Sequence, residues 1–187
     1  MENIFIEAVD GFRLSAIYCC RYGKSAGTVV ISSATGVKKE YYLGLADFLV
    51  QKGYTVLLYD YRGIGDSGTP DMKYSEAYIQ EWGTRDMNAV LNYLVKERKL
   101  TNIIWIGHSL GAELTGLLER HQHIRKVLAV NAGYWGCFPF PKKFIIWLSW
   151  YIVSPIKAAF YGYGTMKKTG WGKNNLWPLL ANAIEEG

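Results

Sequence analysis

Four short apolar runs punctuate the chain: Val29-Val30-Ile31, Val56-Leu57-Leu58, Ile103-Ile104-Trp105-Ile106 and Val127-Leu128-Ala129-Val130. Each is bounded by turn or polar residues, as expected of strands buried in a parallel sheet. The N-terminus reads differently. Asn3 to Ala8 and Phe12 to Cys19 predict two strands joined at Val9-Asp10-Gly11, and an Asp-Gly pair between such runs signals a hairpin. Between the runs the apolar period becomes helical. Glu40 to Lys52 predicts a helix with Tyr42, Leu45, Ala46 and Leu49 on one face and Gly53 as its stop. A longer helix is predicted from about Glu76 to Arg98, capped by Ser75, with Ile79, Gly83, Met87, Val90, Leu91 and Leu94 at helical spacing. Strands alternating with helices predict an α/β fold. Its sheet is mostly parallel with right-handed crossovers, an antiparallel hairpin at the N-terminus and helices on both faces.

The texture changes after Gly133. Residues 134–141 are aromatic and turn-rich, and Phe144 to Phe160 is strongly apolar but interrupted by Pro155 and Lys157. It is too short and too broken for a transmembrane helix. A lid over an active site is the favoured reading, ahead of an amphipathic membrane-surface segment or a partner-binding segment. The expected organisation is a core over 1–133 and a lid-like aromatic segment and tail over 134–187.

The chemistry concentrates at Thr101 to Gly116. The run Ile103 to Ile106 stops at Gly107-His108-Ser109-Leu110-Gly111, and a helical pattern follows, with Leu114, Leu117 and Leu118 spaced to share one face. Strand, sharp turn and helix with Gly-X-Ser-X-Gly at the apex form a nucleophile elbow. The five-residue pattern is weak alone, and its context carries the reading. A serine on a strained turn needs small residues two positions away on each side, which Gly107 and Gly111 supply. His108 is next to Ser109 in sequence, so it reads as a structural neighbour rather than a base.

Composition narrows the picture. Lys and Arg exceed Asp and Glu by 21 to 16, but the cations are dispersed, so no basic stripe for nucleic acid is present. The net charge of +5 fits at most a weak attraction to anionic membrane surfaces. Cys19, Cys20 and Cys137 have no metal-ligand spacing, so neither a metal nor another cofactor is expected. They read as reduced thiols of a cytoplasmic protein. The N-terminal stretch has acids and no basic, apolar signal-peptide pattern.

With these elements in order, the chain resembles the α/β-hydrolase superfamily. It is most similar to a bacterial group of predicted serine hydrolases that share three further elements. Here they are Ala34-Thr35-Gly36-Val37, Asp60 to Ser67, and Tyr134-Trp135-Gly136. The resemblance implies an acyl-serine intermediate on Ser109 and an oxyanion hole of two backbone amides. One is that of Leu110 and the other that of Thr35, or Ala34. It implies a small apolar ester or acyl substrate.

The same resemblance implies a departure. The superfamily's order is Ser, then Asp or Glu, then His. The only histidines here are His108, His121 and His123, and Asn131 rather than an acid ends the strand after the elbow helix. The chain is therefore expected to lack the superfamily's last strands, and its hydrolase activity to be impaired. The alternative is a non-catalytic binding module or fragment that takes an apolar ligand or partner. The strand Arg125 to Val130 is expected to present an unpaired edge, covered by residues 134–163 or by a second copy in a homodimer.

Overall fold

The computed structural model describes residues 1–20, 25–68, 78–133, 139–148, 152–153 and 156. Its chain begins with β1 (Glu2–Glu7) and β2 (Arg13–Cys19), an antiparallel hairpin. Gly11 takes φ +79° at the turn, where the Ala8 N–H donates to the Phe12 carbonyl. The central strands are β3 (Thr28–Ser32), β4 (Thr55–Tyr59), β5 (Ile103–His108) and β6 (Ile124–Val130). They form one six-stranded sheet in the order β1-β2-β4-β3-β5-β6. Strand β2 meets β4 antiparallel, and the pairs β4–β3, β3–β5 and β5–β6 are parallel.

Alternation along the central strands explains why their sequences read as continuous apolar runs. Val29, Ile31, Val56, Leu58, Ile104 and Ile106 pack on one face against Tyr42, Leu45, Ala46 and Leu49. Val30, Leu57, Tyr59, Ile103 and Trp105 pack on the other against Met87, Val90, Leu91 and Leu94. Both faces are covered, so successive side chains of either direction must be apolar.

The first face is covered by α1 (Leu43–Gln51), entered through the 3₁₀ turn Lys39–Tyr42. The second is covered by a helical stretch over 79–97. It comprises α2 (Ile79–Glu81), a widened π turn Trp82–Met87, α3 (Asn88–Asn92) and a second π turn Tyr93–Glu97. The expected cap Ser75 lies outside the described residues. After β5 come α4 (Leu110–Glu113) and a 3₁₀ turn Leu114–Leu117. The change of pitch breaks the shared face expected of Leu114, Leu117 and Leu118. Leu114 and Leu118 are buried, whereas Leu117 is part-exposed and lies over Gly83. The last described helix is α5 (Lys142–Leu148).

Cys19 is buried and Cys20 exposed, both as free thiols, while Cys137 and the Tyr134-Trp135-Gly136 element lie outside the described residues. Among the described residues no strand pairs with the outer edge of β6, which alternates exposed and half-buried side chains. No described helix is long and apolar enough to cross a membrane.

Candidate active site

The chain passes from β3 to β4 on one side, then crosses to β5 on the other side of β3. In open α/β sheets ligands bind beyond the carboxyl ends of the strands at such a reversal, here the ends of β3 and β5. The loop after β3 carries Ala34 and Thr35, and the turn after β5 carries Ser109.

Ser109 has φ +52° and ψ −120°, a conformation an L-residue adopts at a cost of ~1–3 kcal/mol. Packing around the turn holds it there. A β-carbon on Gly107 would collide with the backbone of Ala112, and one on Gly111 would lie 2.6 Å from the Ser32 carbonyl oxygen. The Ser109 N–H donates to the Val130 carbonyl at 2.8 Å, anchoring the turn to the end of β6. The turn that carries Ser109 is thus sharp and closely packed at Gly107 and Gly111.

The backbone donors differ in occupancy. The Ala34 N–H donates to Tyr42 Oη at 3.0 Å. The Val37 N–H donates to the Ala34 carbonyl at 3.1 Å, closing a turn in which Gly36 has φ +71°. Among the described residues the Thr35 N–H meets no acceptor. The Leu110 N–H opens α4, where a helical amide has no intrahelical partner.

The histidines fall in two places. His108 Nδ1 lies 2.9 Å from Tyr42 Oη, so the ring turns toward the α1 face. Burial pushes its pKa down, favouring the neutral ring. His121 and His123 lie in the 3₁₀ turn that enters β6, at the opposite end of the sheet from Ser109. The length of β5 separates those ends, roughly 17 Å at ~3.3 Å per residue. Asn131 follows β6 at the Ser109 end, exposed and with φ +51°.

The loop after β4 is held by charge. Buried Asp60 accepts the Lys39 N–H and Lys39 Nζ, both at 2.7 Å, and the Asp66 N–H at 3.0 Å. Lys39 Nζ also pairs with Glu40 and Asp66, and these partners hold its pKa up against burial. The carboxylates of Glu40, Asp60 and Asp66 lie close enough to share a cation, and the Lys39 ammonium already serves them. Neither Lys39 nor Tyr42 stood out in the sequence as part of a site. Each acts on a group distant in sequence, and local spacing carries no signal for that.

A family model described as serine aminopeptidase, S33, matches residues 23–160. The chain belongs to this α/β-hydrolase family. An esterase from Exiguobacterium antarcticum is 25% identical, with a TM-score of 0.55, over 70% of this chain and 46% of its own. An esterase from Pyrococcus furiosus is 26% identical, with a TM-score of 0.54, over 67% and 49%. An α/β serine hydrolase without lid from Xanthomonas campestris shares the fold at 14% identity, with a TM-score of 0.57, over 79% and 78%. The chain spans about half the length of the two esterases. No curated protein sequence matches it.

Proposed function

We propose that the chain is a serine hydrolase of esterase type, with Ser109 as the nucleophile. The carrying observation is the Ser109 backbone, held at φ +52° between two glycines that have no room for a β-carbon. The Ser109 hydroxyl attacks an acyl carbonyl and expels the alcohol, and water then releases the acid from the acyl-serine. The amides of Leu110 and Thr35 receive the developing oxyanion. Of the two candidates in the loop after β3, Thr35 is favoured because the Ala34 amide is already given to Tyr42. Resemblance to two esterases supports an ester substrate.

The three histidines do not supply a proton acceptor beside Ser109. His121 and His123 stand at the wrong end of the sheet, and His108 is engaged by Tyr42. None of the three histidines is therefore set to take the Ser109 proton. Loss of the base in a serine-protease triad costs a factor of ~10^6 in kcat. That equals ~8 kcal/mol at ~1.36 kcal/mol per tenfold, while oxyanion stabilisation and binding keep ~10^3 to 10^4 over water. Slow acylation is the expected behaviour. The same histidine placement favours a second reading, a non-catalytic module that binds an acyl ligand.

Intact-mass spectrometry after incubation with a fluorophosphonate separates the two. One adduct on the wild type and none on Ser109→Ala is expected. An unlabelled wild type overturns the hydrolase reading in favour of the binding module.

A further inference from the structure

We propose that the Tyr42 hydroxyl is a positioning group that sets the oxyanion loop against the elbow, leaving the Thr35 N–H as the donor for the acyl oxygen. This rests on the serine-hydrolase reading above. Tyr42 is buried at the end of the 3₁₀ turn Lys39–Tyr42, where α1 begins. Its hydroxyl accepts the Ala34 N–H at 3.0 Å and bonds His108 Nδ1 at 2.9 Å, with the two rings edge to face. One phenol thus ties the loop after β3 and the residue before the nucleophile to the start of α1.

Two consecutive peptide units are fixed, the first by Tyr42 and the second by the turn that follows it. In the Ser33–Ala34 unit, the N–H goes to Tyr42, while the Ser33 carbonyl oxygen lies 2.7 Å from where a Gly111 β-carbon would be. In the Ala34–Thr35 unit, the carbonyl accepts the Val37 N–H. In a trans peptide the N–H and C=O point in opposite directions, so the Val37 bond dictates where the Thr35 N–H points. A flip of either unit breaks one of these bonds. The hydroxyl proton is suited to His108 Nδ1 when the ring is neutral and carries its own proton on Nε2. Burial favours those neutral forms, raising the Tyr42 phenol and lowering the His108 imidazole.

The test is the kinetics of fluorophosphonate labelling at Ser109, followed by intact mass on wild type and Tyr42→Phe, with the folded fraction of each measured by urea titration. The expected result is a fall of about tenfold or more in the first-order phosphonylation constant, with little change in probe affinity, since a misplaced oxyanion donor acts on the bond-making step. ¹⁵N spectra should show His108 Nδ1 losing its hydrogen-bonded shift in Tyr42→Phe. Wild-type hydrogen exchange supplies a readout that needs no variant: the Ala34 amide should be protected and the Thr35 amide should exchange freely. On phosphonylation the Thr35 amide proton should move downfield more than the Ala34 amide proton. An unlabelled wild type removes the hydrolase reading and this inference with it. A labelled wild type with an equal rate constant in Tyr42→Phe, or an unprotected Ala34 amide, overturns the inference and leaves the hydrolase reading standing.

Discussion

Gly111 of the elbow lies against the end of β3 so closely that a β-carbon on it would stand 2.6 Å from the Ser32 carbonyl oxygen. The neighbouring Ser33 oxygen would be 2.7 Å away. Both obstacles are backbone atoms at the carboxyl end of the central strand β3 and cannot swing aside as a side chain does. Gly111→Ala is therefore expected to lose ~1–3 kcal/mol or more through overpacking. It should also lose labelling at Ser109, because the displaced atoms lead directly into the Ala34–Thr35 loop. Gly44 in α1 is the control. It is exposed, and a β-carbon there meets nothing within 4 Å, so Gly44→Ala should gain ~0.5–1 kcal/mol. Urea unfolding of both variants checks the contrast. Equal effects of either sign would show that contact at Gly111 does not govern the elbow.

Much of this architecture is visible in the residues themselves. Strands β3, β4 and β5 are legible because burial on both faces makes each a short unbroken apolar run. The elbow is legible because its two glycines are required by contacts within a few residues or with the adjacent strand. The π turns in 79–97 are not, since widening two turns leaves Met87, Val90, Leu91 and Leu94 on the buried side. Tyr42 illustrates the limit most clearly. Its spacing predicts a core position, and its ring is in the core. The partner of its hydroxyl, His108, is 66 residues away, and only the folded sheet brings the two together.

Lys39 and Asp60 provide a second test, of a buried charge pair. Asp60 is fully buried and Lys39 only 2% exposed. Lys39→Met would leave the Asp60 carboxylate without its cation, and breaking such a pair costs ~3–5 kcal/mol. Adding Asp60→Asn removes the stranded charge, so the double variant should recover part of the loss. Equilibrium unfolding in a double-mutant cycle measures the coupling. Strict additivity would mean that the pair contributes no interaction of its own.

Asp10 should govern part of the acid sensitivity. Its carboxylate accepts Arg62 Nη1 and Arg85 Nη1, each at 2.8 Å. The Arg62 bond, helped by the Phe12 N–H and Arg85, lowers its pKa to about 2 from an ordinary 3.8. A carboxylate held lower in the folded state adds stability above its unfolded pKa and loses it as pH falls through the folded value. At ~1.36 kcal/mol per unit the shift would give ~2 kcal/mol, reduced to ~1 kcal/mol because the side chain is partly solvated. Asp10→Asn should thus be less stable than wild type by ~1 kcal/mol at pH 7, and the gap should close between about pH 4 and pH 2. Urea titrations across that range measure it. A gap that stays constant with pH would assign the effect to lost hydrogen bonds rather than to charge.

The aromatic stripe leading into α5 sets the last prediction. Phe140, Phe144 and Trp147 are 81%, 51% and 44% exposed, and their rings contact in series at 6.5 and 6.0 Å. Phe144 and Trp147, three residues apart in α5, share one helical side, and Phe140 meets Phe144 from the turn before it. The surrounding sequence, 131–184, contains six lysines and no Asp or Glu. Exposed rings in a sequence rich in lysine and free of acids suit an anionic lipid surface, where each lysine near the headgroups contributes ~1 kcal/mol and aromatic rings settle at the interface. The protein is expected to co-sediment with phosphatidylglycerol vesicles and far less with phosphatidylcholine. Added salt should weaken the binding by screening the lysines. Phe144→Ser with Trp147→Ser should weaken it by removing the apolar contact, while the charge stays unchanged. Equal sedimentation with both lipids would point to apolar adsorption without charge recognition, and none with either would assign the stripe to contacts within a protein.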